Sequence, residues 1–461
     1  MRRTERRGLT AAAALLVLLL APFRAGAGPA STPLPFTPKV ESLPNGLKVV
    51  MVRQNSPGLV AYYSLVGVGS RDEVEPGVTG FAHFFEHMMF RGTELWPPKK
   101  VQELLKKTGA DQNGFTTDDF TCYTFFGSSA HLDELVAYEA DRFRNLAYSE
   151  DVFKTEAGAV LGEYNKSASS PSLPLREKLR ELVFTKHTYG HTTLGYLKDI
   201  EAMPTQYEYS KKFFERFYTP DNTTLFIVGD FDPAAVMELI KKNYGPWKRK
   251  RASTKVKAEP PQKKEIRAHV DWATPTLPIL SMSWRTPATN YGSAETAAYN
   301  IMGEMLFGRI SPVYTELVLE SQKVVSFYDA GWNHKDPYLF HAWIQLKDPA
   351  DFELVEKRVQ GAIDEFAAGK VDAALLENVK SNHRFSALLE LNTPDQIALA
   401  LAYFAGPTRQ PDALARSLGA VEKITAKDIQ SFAKKHLAVA QRSVITLSEK
   451  AAASAAAAAA E

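Results

Sequence analysis

The stretch Gly80-Phe81-Ala82-His83-Phe84-Phe85-Glu86-His87-Met88-Met89-Phe90 carries the strongest signal in the chain. A helical pattern runs from about Thr79 to Phe90. On a helix, residues four apart share a face, so His83 and His87 can hold one ion from adjacent turns. Glu86, three residues after His83, lies near the same edge. A carboxylate there can take a proton from water without being a ligand itself. The pattern is H-x-x-E-H, the inverse of H-E-x-x-H. Phe81, Phe84, Phe85, Met88, Met89 and Phe90 surround these groups with apolar surface. A largely buried helix does not carry three ionisable residues on one face without partners, and a metal ion would supply them.

A catalytic zinc usually takes three protein ligands. Candidates for the third stand in Thr155-Glu156-Ala157-Gly158-Ala159-Val160-Leu161-Gly162-Glu163. Glu156 and Glu163 are two turns apart on one helix face. Either could ligate while the other supports a ligating histidine from behind.

Composition agrees with such a site. The 461 residues are 45% hydrophobic and 23% charged, which excludes wholesale disorder, collagen and coiled coil. With 55 Lys and Arg against 53 Asp and Glu, the charge gives no footprint for nucleic acid. Cys122 is the one cysteine, which excludes internal disulfides, a cysteine-built zinc site and an iron–sulfur cluster. Any metal must be held by histidine and carboxylates.

The N-terminus reads as an export signal, residues 1–27. Arg2, Arg3, Arg6 and Arg7 precede an apolar run from Leu9 to Ala21, and Ala25-Gly26-Ala27 follows. The run is short for a membrane span, and no other stretch approaches that length, so no stable span is expected. Removing this segment takes away a net charge of +4 and leaves −2. An exported chain without disulfides fits a bacterial periplasm, or secretion from a bacterium.

Residues 28–38 read as a leader loop. Asn45-Gly46 marks a hairpin turn before a strand at Leu47–Val52, and Leu59–Val68 is a second strand. Helices are expected at Lys99–Thr108, Ala130–Ala147 and Glu150–Ser167, the last with Ser149 as N-cap. Phe115–Phe126 alternates as one strand, and Thr224–Gly229 is a buried one. Residues 248–264 hold eight Lys or Arg and almost no apolar side chain. They read as a solvated linker rather than a nucleic-acid patch. A second block follows over 265–449: strand Leu280–Trp284, helices Ala294–Phe307 and Val313–Glu320, strand Leu339–Leu346, helices 350–368, 371–389 and 394–404, and a strand at Ser443–Leu447. Its order resembles the first block, 39–247. Residues 450–461 form an Ala-rich tail. Strands and helices without strict alternation indicate an α+β fold with two similar domains.

On these residues the chain resembles the pitrilysin family (M16) of zinc metallopeptidases, including mitochondrial processing peptidase and bacterial periplasmic relatives. The matching segments are Leu43-Pro-Asn-Gly-Leu47, Gly80 to Thr93, Asn113-Gly-Phe-Thr116 with Thr121 and Tyr123, and Glu156 with Glu163. His187-Thr-Tyr-Gly-His191 with Gly195, Tyr218-Thr-Pro-Asp-Asn222 and Val228-Gly-Asp230 complete them. The resemblance implies one zinc per chain on His83, His87 and Glu163, with Glu86 as general base and Glu156 orienting a ligand from behind. It implies paired domains, each an antiparallel sheet covered by helices. A peptide substrate would add as a strand beside Asn113, Gly114, Phe115 and Thr116. In the family's second half an Arg and a following Tyr hold the substrate carbonyl. The matching region here, Tyr314 to Phe327, has no Arg at that place, and Phe327 or Tyr328 stands nearest to the Tyr. The resemblance therefore implies a zinc-less M16-like partner chain supplying Arg and Tyr, or a homodimer. The competing expectation is a non-catalytic assembly subunit.

Other residues read as structural. His187 and His191 are four apart but lie in a loop-like segment. Cys122, Trp272, Trp284 and Trp332 read as core or interface. Asp111, Asp118 and Asp119 read as a solvated acidic loop.

Overall fold

The computed structural model describes residues 34–329 and 333–450. The expected signal at 1–27, most of the leader, Trp332 and the Ala-rich segment from 451 onward lie outside the described residues.

Eleven strands among the described residues form two sheets. They are β1 (Lys39–Ser42), β2 (Lys48–Arg53), β3 (Leu59–Val66), β4 (Asp111–Thr116), β5 (Thr121–Ser128), β6 (Thr223–Gly229), β7 (Ile266–Trp272), β8 (Ile279–Thr286), β9 (Val324–Asp329), β10 (Tyr338–Leu346) and β11 (Arg442–Glu449). The first sheet runs β1-β2-β6-β3-β5-β4 and the second β7-β11-β8-β10-β9. Without β1, the two orders correspond strand for strand. The fold is α+β, built from two similar units, as the strand and helix pattern indicates.

The sheets are not wholly antiparallel. β2 pairs parallel with β6, and β7 parallel with β11. In each pair the strands are separated by most of a unit, so no hairpin fixes their relative direction. Phe115–Phe126 is likewise not one strand but the hairpin β4–β5. Thr117 closes its turn, with both its N–H and its hydroxyl donating to the Phe120 carbonyl.

The strands of the first sheet are apolar on both faces because both faces are covered. In β2, Val49 and Met51 face one core, and Val50 and Val52 face another. The first core holds helices of the same unit, among them α1 (Phe81–Met88) and α2 (Glu150–Ala168). The opposite face is covered from the second unit. Ile397, Ala398, Leu401, Ala402 and Ala405 of helix Pro394–Thr408 pack there on Ala61, Leu65 and Val228. The second unit is covered in return: Leu175, Leu179 and Val183 of helix Ser172–Val183 lie on Ile279, Leu339, Ile445 and Leu447.

Several local expectations change. The helix expected at Val313–Glu320 is a short α-turn, Pro312–Tyr314, that widens into a π-type turn over Thr315–Glu320. Two further helices, Ala413–Lys423 and Ala426–His436, complete the second unit. The basic segment 248–264 has no regular structure and lies mostly exposed at the surface, but it is also tied to the first unit at several points. Glu259 accepts hydrogen bonds from the Lys186 and His187 N–H groups, and Arg249 donates to the Arg144 carbonyl. Asp118 and Asp119 are buried between the units, not solvated. Asp118 accepts two bonds from Arg180 and lies 3.1 Å from His334 Nε2. Asp119 accepts from the Tyr189 hydroxyl and the Lys335 N–H. Burial opposes the Asp118 charge, but Arg180 and His334 hold its carboxyl far below the usual range. His187 pairs with Asp336, and His191 Nδ1 lies 2.9 Å from the Thr192 carbonyl, so both are structural. Cys122 and Trp284 are core residues, whereas Trp272 is half-buried at the rim of the second sheet.

Two outcomes are expected. Leu401→Ala removes a side chain of the second unit that covers the first sheet. It should cost roughly 2–5 kcal/mol and lower the unfolding transition of both units together, read by denaturant melts with tryptophan fluorescence. Burial pushes the pKa of His341, in β10, down to about 4. The unfolded imidazole gains its proton near its ordinary 6.5 while the folded one stays neutral, so stability is lost as pH falls from about 6.5 to about 4. The stability advantage of wild type over His341→Gln should shrink by on the order of 2–3 kcal/mol between pH 7 and pH 4.

Candidate metal centre

The N-terminus of α1 is fixed from outside the helix. Gly80 precedes it with a φ of 93°, and a Cβ there would sit 2.6 Å from the Leu194 carbonyl oxygen, so only glycine fits. Glu73 accepts hydrogen bonds from the Gly80 N–H at 2.8 Å and the Ala82 N–H at 2.7 Å. Burial raises the Glu73 pKa well above the ordinary carboxyl value, despite both bonds.

One side of α1 is held by aromatic packing. Phe85 stacks on Phe213 at 5.1 Å, and Phe84 meets Phe153 of α2 edge-on at 5.0 Å. With Phe81, Phe84, Phe85 and Met88 fully buried, the remaining side presents His83, Glu86 and His87 half-buried. Helix α2 starts at Ser149, whose side chain accepts from the Val152 N–H as expected of an N-cap. Its own buried face, Phe153, Ala157, Val160 and Tyr164, sets Glu156 and Glu163 against α1.

His83, His87 and Glu163 come together, each offering one ligand atom within 4.8 Å of the others. Nε2 of His83 is 3.3 Å and Nε2 of His87 is 3.6 Å from the Glu163 carboxylate. On the other side of its ring, His87 Nδ1 is 3.5 Å from Glu156, which also pairs with Arg91. Glu156 is buried and Glu163 is exposed. Of the two carboxylates left open by the spacing, Glu163 therefore faces both histidines and Glu156 stands behind one.

The charge balance suits a cation. The hydrogen bond to Glu156 raises the His87 pKa against the opposing effect of burial, with Glu163 and Glu86 adding to the rise. The hydrogen bond to His83 lowers the Glu163 pKa, although burial works the other way. Burial also opposes charge on Glu156, yet His87 and Arg91 bring its pKa below the usual value. Protons on the imidazoles would compete with an ion, so binding should weaken in acid. Two imidazoles and a carboxylate form a donor set that fits zinc, with a second carboxylate to fix one tautomer.

Glu86 is outside this triad. The Thr116 hydroxyl of β4 donates to its Oε2 at 2.6 Å. β4 is the free edge of the first sheet. Asn113 accepts its neighbour's N–H and is exposed, while Phe115 stacks on Tyr403 of the second unit at 4.9 Å. The side chains of Phe115 and Thr116 are thus engaged within the protein, and the strand offers its backbone edge. Tyr328 lies on β9, the edge of the second sheet, and is 58% exposed. Sequence reasoning missed Glu73 and Arg91. Arg91 lies four residues after His87 but beyond the end of α1, where the helical repeat no longer places it. Glu73 caps α1 from a preceding loop and left no periodic trace.

The sequence matches the family described as Insulinase (Peptidase family M16) over residues 49–196. It matches the family described as Peptidase M16 inactive domain over residues 205–382. The chain belongs to the M16 peptidase family. Zinc protease PqqE of Helicobacter pylori is 27% identical over 372 residues, covering 79% of this chain and 82% of that protein. The uncharacterized zinc protease YmxG of Bacillus subtilis is 25% identical over 210 residues, covering 46% of this chain and 50% of that protein. Zinc thus belongs to the family as these relatives are named. The crystal structure of a protease from Helicobacter pylori shares the fold with a TM-score of 0.82 at 24% identity, covering 90% of this chain and 99% of that one. The periplasmic protease PqqL from Escherichia coli gives 0.73 at 18% identity, covering 93% of this chain and half (50%) of PqqL.

Glu73→Ala would orphan two buried N–H groups at the start of α1. A loss of roughly 1–3 kcal/mol for each is expected in denaturant unfolding, and Glu73→Gln should recover part of it.

Proposed function

We propose that this M16 family member is an exported zinc-dependent endopeptidase acting on peptides or unfolded polypeptides. The observation that carries the proposal is the meeting of His83, His87 and Glu163 from two helices, with Glu86 on the same side of α1 but outside the triad.

His83, His87 and Glu163 would hold one zinc per chain, and Glu156 would keep the His87 ring oriented with Nε2 free. Zinc held there supplies a Lewis acid that acidifies water and polarises a carbonyl. Glu86 acts as general base: its carboxylate takes the proton of the attacking water and hands it to the leaving amine nitrogen. The backbone edge of β4, at Asn113, Gly114, Phe115 and Thr116, receives the substrate as an added strand. Backbone pairing gives affinity with little side-chain selectivity. Residues 39–247 form the zinc-binding catalytic domain, 248–264 the link, and 265–449 a second domain for substrate binding or dimerisation.

The region Tyr314–Phe327 offers no Arg to the substrate carbonyl. In this reading Arg and Tyr come from a zinc-less M16-like partner chain, or the working unit is a homodimer. The basic and apolar segment at 1–27 supports export to a bacterial periplasm or beyond it. Among the described residues, no helix is long and apolar enough to cross a membrane. The match described as an inactive domain begins at residue 205, beyond every residue of the triad and Glu86, and so concerns mainly the second unit.

Metal analysis and cleavage of an unstructured peptide test this directly. Wild type should carry one zinc per chain, and Glu86→Gln should keep it while losing at least about 100-fold in kcat. Glu163→Ala should lose the metal, and Glu156→Gln should bind it roughly 10–100-fold more weakly. Cleavage by Glu86→Gln at the wild-type rate would remove Glu86 as the base. Zinc without cleavage in wild type, restored by a zinc-less M16 chain, would favour the heterodimer over the homodimer.

A further inference from the structure

We propose that Thr116, together with the space left by Gly114, positions Glu86, so that the strand receiving the peptide also sets the orientation of the general base. Successive side chains of a strand alternate between faces, so Gly114 and Thr116 share one face of β4 and Phe115 points to the other. The shared face is turned to α1. Thr116 donates its hydroxyl proton to Glu86 Oε2 at 2.6 Å. A Cβ on Gly114 would lie 3.1 Å from Glu86 Cγ and 3.3 Å from the Phe90 ring. Such a contact is too tight for an alanine unless Glu86 moves. Gly114 therefore leaves the room in which the Glu86 stem lies, and Thr116 fixes its carboxylate.

The strand is itself held at both flanks of this contact. Phe115 stacks on Tyr403 with an interplanar angle of 8°. Immediately after Thr116, the turn carries Asp118 and Asp119, which are bonded to Arg180 of the first unit and to the Lys335 N–H of the second. The hydroxyl facing Glu86 thus stands on a strand braced by both units. Glu86 Oε2 accepts that bond, and the other oxygen remains to take a proton. Thr116 touches neither the metal ligands nor the scissile bond in this scheme. It acts through Glu86 and is a positioning residue.

This inference rests on Glu86 being the base, and the variants separate the two claims. The full chain, with a partner chain present if cleavage requires one, is assayed for zinc content, kcat and KM on an unstructured peptide. Thr116→Val keeps the shape of the side chain and removes the donor. It should lower kcat roughly 10- to 100-fold with zinc content unchanged and KM within about threefold. Thr116→Ser restores the donor and should recover most of kcat. Glu86→Gln/Thr116→Val should be no slower than Glu86→Gln alone, because Thr116 acts through the carboxylate. Gly114→Ala should lower kcat with zinc retained. Wild-type kcat in Thr116→Val beside an inactive Glu86→Gln would overturn the inference and leave the base intact. Loss of zinc in Thr116→Val, failure of Thr116→Ser to recover, or a further tenfold loss in the double variant would also overturn it. Wild-type cleavage by Glu86→Gln would instead remove the reading on which it stands.

Discussion

The packing of α1 against α2 is the contact on which the candidate site depends. Phe84 and Phe153 meet across the two helices, and the apolar faces on either side exclude water. With those faces buried, the helical repeat leaves no choice about what meets beside them. His83 and His87, one turn apart, face Glu156 and Glu163, two turns apart. The two carboxylates then differ by environment. Glu156 is buried beneath His87 and Arg91, whereas Glu163 sits at the open end between both imidazoles. A single packing interface thus divides chemically identical residues into a ligand candidate and an orienting group.

The second constraint is larger in scale. Each sheet borrows the cover of one face from the other unit, so neither core is complete within its own segment. The edge strand β4 belongs to this arrangement. Its Phe115 stacks on the second unit's Tyr403, and the following turn is clamped by buried charges from both units. A free sheet edge ordinarily offers unpaired backbone N–H and C=O groups to another strand. Here it is braced, which suits the role proposed for it, receiving a substrate backbone in register, and steadies the hydroxyl facing Glu86.

The α1 motif, its apolar surroundings, the α2 carboxylates and the correspondence of the two units were legible in the sequence because they rest on periodicity and spacing. What depends on non-local contacts was not. The Thr-rich alternation of Phe115–Phe126 hid a turn, since Thr117 closes it by side-chain bonding rather than through a Gly or Pro. Asp118 and Asp119 read as solvated because their partners are distant in sequence: Ser70 and Arg71 lie 48 positions away, and Arg180, Tyr189 and residues 334–335 lie 60 or more away. The parallel pairs β2–β6 and β7–β11 join strands from opposite ends of each unit, which local pattern cannot orient. Glu73 caps α1 from a loop seven residues before Gly80. The choice between Glu156 and Glu163 needed the depth of each side chain, which a helical repeat alone does not supply.

The central claim is that two histidines of α1 and Glu163 of α2 hold one zinc. Anomalous diffraction at the zinc edge, from crystals of the protein grown with zinc, tests it most directly. The account predicts one peak per chain, about 2.0–2.2 Å from a nitrogen of His83, a nitrogen of His87 and an oxygen of Glu163. Glu156 should remain on the far side of the His87 ring. A peak ligated by Glu156 with Glu163 turned to solvent, or no peak between the two helices, would contradict it.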